Sequence, residues 1–96
     1  MTKKLKYVIV RTYSAGVFAG ELVSRNGKET VLRNARRIYY WDGAASLSQM
    51  AMEGVKRPEN CKFAMPVSVT LTETIEILDT TKEARKNIEA VPIWKR

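Results

Sequence analysis

Unbroken and alternating apolar patterns predict three strands in the first part of the chain. An apolar run rich in β-branched residues lies between Lys6 and Tyr13 and predicts a strand that is buried on both faces. Val17 to Arg25 and Lys28 to about Trp41 predict two further strands. Asn26-Gly27 joins them, and this pair favours a type I′ hairpin turn.

The predicted register of this hairpin leaves both of its faces mixed. A two-residue loop pairs Arg25 with Lys28, which places Arg33 and Arg37 on a face that also carries apolar side chains. Two explanations stay open at this point. Either a bulge near Asn34 shifts the register, or both faces are partly covered, for example by another subunit.

The second part of the chain predicts a helix, a strand and a helix. Apolar residues at three- and four-residue spacing predict a helix over residues 43–54, with Asp42 as its N-cap. Alternation over residues 66–78 predicts one strand with one wet face. Glu73 falls on the apolar face, so it either lies at a sheet edge or bulge or pairs with a basic side chain such as Arg33 or Arg37. Thr80 and Glu83 form a capping box that predicts a second helix.

The order strand, strand, strand, helix, strand, helix (βββαβα) predicts an α+β domain. We expect a small antiparallel sheet of about four to five strands with two short helices, and a single domain over residues 1–96. The inward face of the second helix is expected to carry Ala84, Ile88 and Val91, and Trp94 is expected to anchor the tail.

Charge changes this picture because it is distributed unevenly. The net charge is +7, and residues 1–41 hold nine Lys or Arg against two Glu, whereas the remainder is neutral. An excess of this kind favours an anionic partner, while the plainer interpretation is a basic surface that keeps the protein dispersed.

Several classes of function are disfavoured by what the sequence lacks. It contains no histidine and one cysteine, Cys61, so neither a zinc site nor the usual general base is available. It has no nucleotide-hydrolysing loop motif and no apolar run that could cross a membrane. We therefore expect no enzyme activity, no cofactor, no metal and no membrane partner.

The stretch from Ala35 to Leu47 carries the richest chemistry in the chain. Guanidinium groups suit phosphate, aromatic rings suit a base, and the small residues before a helix start expose backbone N–H groups to an anion. A second candidate is the turn after the first strand. The predicted ligand-binding residues are Arg11, Tyr13, Ser14, Arg36, Arg37, Tyr40, Trp41, Gly43, Ala44 and Ser46. Packing explains the same residues equally well, since neighbours on a strand face opposite ways and only some of them can line one site.

Three segments carry a resemblance to a known family: residues 7–20, residues 34–47 and the ending Val91-Pro-Ile-Trp-Lys. Together they resemble a family of short, largely uncharacterised domains encoded by tailed bacteriophages and prophages, over nearly the whole chain. Small phage proteins of this size include immune-evasion sponges, which are oligomers that sequester nucleotide signals of bacterial defence systems. The analogy is one of size and context.

Charge, candidate residues and resemblance lead to a first functional expectation. It is a non-catalytic, homo-oligomeric binder that sequesters a small phosphorylated nucleotide signal, such as a cyclic ADP-ribose-like molecule or a cyclic dinucleotide, in the cytoplasm of an infected bacterial host. Two alternatives remain. One is an accessory protein that binds DNA or RNA, and the other is a protein-interaction or assembly factor of the phage.

Overall fold

One antiparallel sheet of six strands and two helices make up residues 5–95, the part of the chain that the computed structural model describes. This confirms the α+β class, and the strand number is slightly higher than expected. The elements are β1 Tyr7–Thr12, β2 Val17–Asn26, β3 Glu29–Tyr40, α1 Leu47–Glu53, a 3-10 turn Pro58–Asn60, β4 Lys62–Phe63, β5 Val67–Leu71, β6 Thr74–Asp79 and α2 Lys82–Ala90. Within the described residues, neither helix has the length and apolar character that crossing a membrane requires.

The strand β1 lies inside the sheet, as its apolar run predicts. The strand order is β4-β3-β2-β1-β6, and β5 also pairs with β3. Tyr7, Val8, Ile9 and Val10 are all buried. Alternate residues of this run enter two different cores, one on each face of the sheet.

The first core lies between the sheet and the helices, and the second lies on the opposite face. We call them the helix-side core and the strand-side core. The helix-side core contains Tyr7, Ile9, Ala19, Ile38, Met50, Ala51, Val55, Cys61, Phe63, Ile88 and Val91. The strand-side core contains Val8, Val10, Phe18, Leu32, Ala35 and Leu71.

The single strand predicted over residues 66–78 is two strands. A turn at residues 72–73 separates β5, which pairs with β3, from β6, which pairs with β1 on the other side of the sheet. The Thr74 N–H donates to the Lys28 carbonyl at 3.0 Å, and the hydroxyls of Thr30 and Thr74 are 2.8 Å apart. Glu73 is the one break in the sequence pattern at this turn. Beyond the turn the faces are the reverse of those predicted, since Thr74 is buried and Ile75 is 49% exposed. Glu73 lies in the turn and is exposed, which explains its place in the pattern without an arginine partner.

The β2–β3 hairpin turns one residue later than predicted. Asn26 pairs with Glu29, so Gly27 and Lys28 form the loop. Gly27 has a φ of 61°, whereas Lys28 is not among the residues with positive φ. A type I′ turn requires positive φ at both central positions, and glycine at the first position only is the type II′ pattern.

A bulge at Asn34 resolves the mixed faces of the hairpin. The pairing steps from Glu21↔Arg33 to Ala19↔Arg36, and Asn34 has a φ of 53°, in the left-handed region that asparagine tolerates. Because of the extra residue, Leu32 and Ala35 both enter the strand-side core. The bulge near Asn34, one of the two explanations open from the sequence, is confirmed.

The helix α1 begins four residues later than predicted, and Asp42 is not its N-cap. Ser46 caps it, accepting a hydrogen bond from the Gln49 N–H at 3.1 Å. Asp42 instead accepts hydrogen bonds from Arg57 and Asn60, at 3.3 and 3.0 Å. The predicted end at Gly54 is confirmed, since its N–H donates to the Met50 carbonyl at 2.8 Å.

The helix α2 is capped by Thr81 rather than Thr80. The Thr81 hydroxyl accepts from the Ala84 N–H at 3.0 Å, while the Thr80 hydroxyl donates to the Tyr7 carbonyl at 2.6 Å. The predicted inward face is confirmed, because Ala84, Ile88 and Val91 are all buried.

Candidate ligand-binding surface

Arg36 and Arg37 lie on opposite faces of β3 and have opposite surroundings. Arg36 enters the helix-side region and is only 3% exposed. Its guanidinium donates to five backbone carbonyls at 2.6–3.4 Å. These carbonyls belong to Phe63, Ala64, Ile88, Val91 and Pro92. Every N–H of the guanidinium is therefore used.

Arg36 is a structural residue, which corrects its predicted place in a ligand site. The carbonyls of Ile88, Val91 and Pro92 lie at and just beyond the end of α2, and that of Ile88 also accepts from the Val91 N–H at 3.2 Å. Burial lowers the pKa of Arg36, yet an arginine remains charged at neutral pH. A buried arginine needs partners for its charge and its donors. Backbone carbonyls take that role here.

Arg37 is left with a charge that no described acid neutralises. Its guanidinium carbon lies 4.8 Å from the Phe18 ring centre and 6.0 Å from that of Tyr39. Its Nε is buried without a hydrogen-bond partner, and within residues 5–95 it forms no ion pair. The rings cover one part of this cation, and its terminal nitrogens have no fixed partner.

Two exposed rings and a second cation continue from Arg37. The ring centres of Tyr39 and Trp94 are 5.4 Å apart, with the planes tilted by 59°. The Lys62 ammonium lies 5.5 Å from the Trp94 ring centre. We call Arg37, Tyr39, Lys62 and Trp94 the cationic aromatic surface. Its order is cation, ring, ring, cation.

Backbone pairing at the end of β3 fixes these four side chains. The register between β3 and β4 shifts between Ile38 and Tyr40, so Tyr39 is the extra residue of a bulge, a feature that re-aims side chains. The tail joins the same edge because Ile93 bridges Phe63 and the Trp94 N–H donates to the Phe63 carbonyl at 2.9 Å. Trp94 thus anchors the tail through its backbone, while the residue remains 39% exposed.

Most arginines elsewhere on the described surface are paired with carboxylates. Arg11 pairs with Glu76, Arg33 and Arg85 with Glu21, and Arg57 with Asp42, at 2.8–3.3 Å. Exposed pairs of this kind contribute little to stability, but they cancel local charge. The cationic aromatic surface keeps both of its charges unpaired within residues 5–95.

The predicted residues of the β1–β2 turn contact the neighbouring β6 end of the sheet. Arg11 donates to Glu76 at 3.0 Å, and the Ser14 hydroxyl bonds to Glu73. Tyr13 is 81% exposed. No hydrogen bond or ion pair among residues 5–95 joins this turn to the region from Trp41 to Ser46, so the structure does not assemble the two predicted candidates by direct polar contacts.

The predicted residues between Trp41 and Ser46 are engaged in local packing. The Trp41 ring packs on the helix-side core and donates from Nε1 to the Ala44 carbonyl at 3.2 Å. A Cβ at Gly43, whose φ is 99°, would lie 2.4 Å from the Lys56 nitrogen, so this glycine permits close backbone packing. The Ala45 N–H is bonded to the Gln49 side chain, and Ser46 caps α1. These groups do not form the free anion seat expected from the sequence.

Three members of the cationic aromatic surface are absent from the residues predicted for the site. The sequence does contain a signal for Tyr39, because alternation along a strand places it on the same face as Arg37. Lys62 lies in a segment that reads as an exposed loop, and Trp94 reads as a tail anchor. Their proximity depends on the β3–β4 pairing and on the bridge to Ile93, for which the sequence has no local signal.

Other reactive groups of the described residues are buried or committed. Burial and the nearby Glu89 raise the pKa of the Tyr7 phenol, and burial raises that of the Cys61 thiol. No group of three or more His, Cys, Asp or Glu that could hold a metal occurs within residues 5–95. Two cavities, of about 770 and 260 Å³, adjoin Tyr7 and α2, and neither is lined by the cationic aromatic surface.

Comparison with known proteins identifies a family but no characterised relative. The search of curated proteins finds no match, and the search of solved structures finds none either. A family model matches residues 5–88, a range that includes three of the four residues of the cationic aromatic surface and ends before Trp94. The chain therefore belongs to the family described as domain of unknown function DUF6948.

Proposed function

We propose that this protein is a non-catalytic binder of a phosphorylated ligand that carries a nucleobase. The observation that carries the proposal is the unpaired Arg37 guanidinium beside the exposed Tyr39–Trp94 ring pair. An arginine offers forked donors to phosphate, and an aromatic ring offers a stacking face that every base can use. Lys62 supplies a second positive charge at the other end of the surface.

The cationic aromatic surface is open, and this affects which kind of ligand it can hold tightly. Tight sequestration of a small molecule needs an enclosed pocket, and the cavities beside Tyr7 and α2 are not lined by this surface. We propose that the chain sequesters a nucleotide immune signal in the bacterial host cytoplasm, as the phage resemblance suggests, with a second copy covering the surface. Accessory binding of single-stranded nucleic acid is the alternative, which an uncovered surface favours.

Calorimetric titration with nucleotides tests the proposal directly. The ligands are adenosine monophosphate, cyclic ADP-ribose, cyclic di-adenosine monophosphate and a thymidine dodecamer, each at low salt. We expect at least one of them to bind. Heat from none of the four would contradict the proposed function.

A matched pair of variants then locates the binding site. Tyr39→Ala is expected to weaken binding about fivefold or more, since stacking on one ring contributes roughly 1–3 kcal/mol. Tyr40→Ala is the control, because Tyr40 is adjacent and equally exposed, at 52% against 55%, but does not belong to the ring pair. Equal losses in the two variants would place binding elsewhere.

A further inference from the structure

The Tyr39–Trp94 pair is too close to hold a base between its rings. Centres 5.4 Å apart at a tilt of 59° are within direct contact distance for two aromatic side chains. A base inserted between the two rings would need their planes to be parallel and separated by two stacking distances, one on each side of the base. A bound base must therefore stack on an outward surface of the pair.

The tilt gives the pair two outward surfaces instead of one. Tyr39 and Trp94 are 55% and 39% exposed, so neither ring is hidden by the other. Their planes differ by 59°, so one flat base cannot lie on both rings together. The surface thus offers two separate stacking positions.

Each stacking position has its own cation. Arg37 lies 6.0 Å from the Tyr39 ring centre, and Lys62 lies 5.5 Å from that of Trp94. The two halves consequently repeat one arrangement, a ring with a cation over one of its faces, and a base would stack on the other face. A mononucleotide would occupy one half and leave the other empty.

We infer that the ligand of this surface carries two nucleobases joined by a phosphodiester. This inference rests on the proposed function and narrows its ligand class. A short stretch of single-stranded nucleic acid and a cyclic dinucleotide share this chemistry. They differ in whether the chain continues beyond two nucleotides.

Binding measurements with four probes separate these cases. Adenosine monophosphate supplies one base, and the linear dinucleotide adenylyl-adenosine supplies two. Cyclic di-adenosine monophosphate closes the ring, and a thymidine dodecamer extends the strand. A two-base ligand is expected to bind about tenfold more tightly than the mononucleotide, since the second base adds a second stacking contact. Preference for the dodecamer identifies single strands, and preference for the cyclic ligand identifies a cyclic dinucleotide.

Variants assign the gain in affinity to the second half of the surface. Trp94→Ala is expected to lower the affinity for two-base ligands to about that of the mononucleotide while leaving mononucleotide binding at Tyr39 intact. Lys62→Gln, which removes a charge without removing a ring, is expected to lower two-base affinity by a smaller factor, and it covers the case in which the tail of Trp94→Ala detaches. Tyr40→Ala is expected to change neither.

Two results would overturn the inference in distinguishable ways. If adenosine monophosphate binds as tightly as every two-base ligand, the two-base inference fails and the proposed function stands. If no probe binds, the proposed function fails together with it.

Discussion

At the scale of single residues, the neighbours Arg36 and Arg37 differ in what their charge does. Arg36 supplies hydrogen bonds to five buried or half-buried carbonyls, including those at the end of α2. Arg37 lies on rings and lacks an acid partner within residues 5–95. The first residue stabilises the fold, and the second is the one that we propose binds a ligand.

Arg36→Ala is expected to lower the free energy of unfolding by about 3 kcal/mol or more, because it removes five hydrogen bonds from a charged donor to buried and half-buried carbonyls. Arg37→Ala is expected to cost about 1 kcal/mol or less, the usual contribution of a cation–ring contact. Urea unfolding followed by circular dichroism measures both. Equal losses in the two variants would contradict the assignment of Arg36 to the fold.

Arg36→Lys provides a control for charge alone. A lysine retains the positive charge but has three donors on one nitrogen and cannot reach five carbonyls in different directions. We expect most of the stability loss to persist in this variant. Full recovery would show that charge, rather than the hydrogen-bond geometry, is what the end of α2 requires.

At the scale of elements, Glu21 connects two strands and a helix. Its carboxylate on β2 accepts hydrogen bonds from Arg33 and Asn34 of β3, at 3.2 and 2.8 Å, and from Arg85 of α2 at 2.8 Å. Burial by itself raises the pKa of Glu21. The three hydrogen bonds together lower this pKa by more than burial raises it, so the pKa lies below its usual value. The ionised form is thus the one that the fold stabilises.

This shift predicts a loss of stability in acid that depends on Glu21. Because the pKa is lower in the folded state, the contribution is complete above the unfolded value, about 4.3, and disappears as the pH falls through the folded value. Glu21→Gln is expected to be less stable than the parent at pH 7 and to lose less stability between pH 5 and pH 2. Parallel stability curves for the two proteins over that range would contradict the prediction.

The elements also show how far the sequence predicts the fold. The buried run at Val8–Val10 and the inward face of α2 follow from composition and periodicity, and both are confirmed. The separation of β5 from β6 is not predicted in this way, because apolar residues recur at the same spacing on both sides of the turn at residues 72–73. After the turn the pattern even indicates the wrong buried face, since Thr74 is buried and Ile75 is exposed. The pairing partner and the face are decided there by tertiary contacts.

The candidate site is harder to predict from the sequence than the fold. The sequence indicates the segment that contains Arg37. The face of the sheet on which Arg37 lies depends on the strand register that the Asn34 bulge sets. Short-range patterns cannot show that the tail brings Trp94 to the Tyr39 ring, since more than fifty residues separate the two. The small residues around Gly43 resembled a phosphate-binding turn, yet they serve close packing against Lys56.

At the scale of the whole molecule, the charge excess of +7 creates a positive field around the protein. Ion pairs neutralise Arg11, Arg33 and Arg57 locally. The unpaired cations Arg37 and Lys62 are therefore the described charges best placed to meet phosphates next to stacking rings. Steering by the overall charge would bring an anionic ligand to the protein, and these two residues would hold it.

The dependence of binding on salt measures how many phosphates the surface holds. Each phosphate neutralised on a single strand lowers the slope of log K against log salt concentration by about 0.7, because bound counterions are released. Contacts from Arg37 and Lys62 alone predict a slope of about −1.4 for a thymidine dodecamer.

The double variant Arg37→Gln/Lys62→Gln should bring the slope close to zero, while Lys82→Gln at the start of α2 should leave it unchanged. Fluorescence anisotropy at several salt concentrations gives both slopes. If the steep dependence survives in the double variant, the phosphates are held elsewhere by the general positive field.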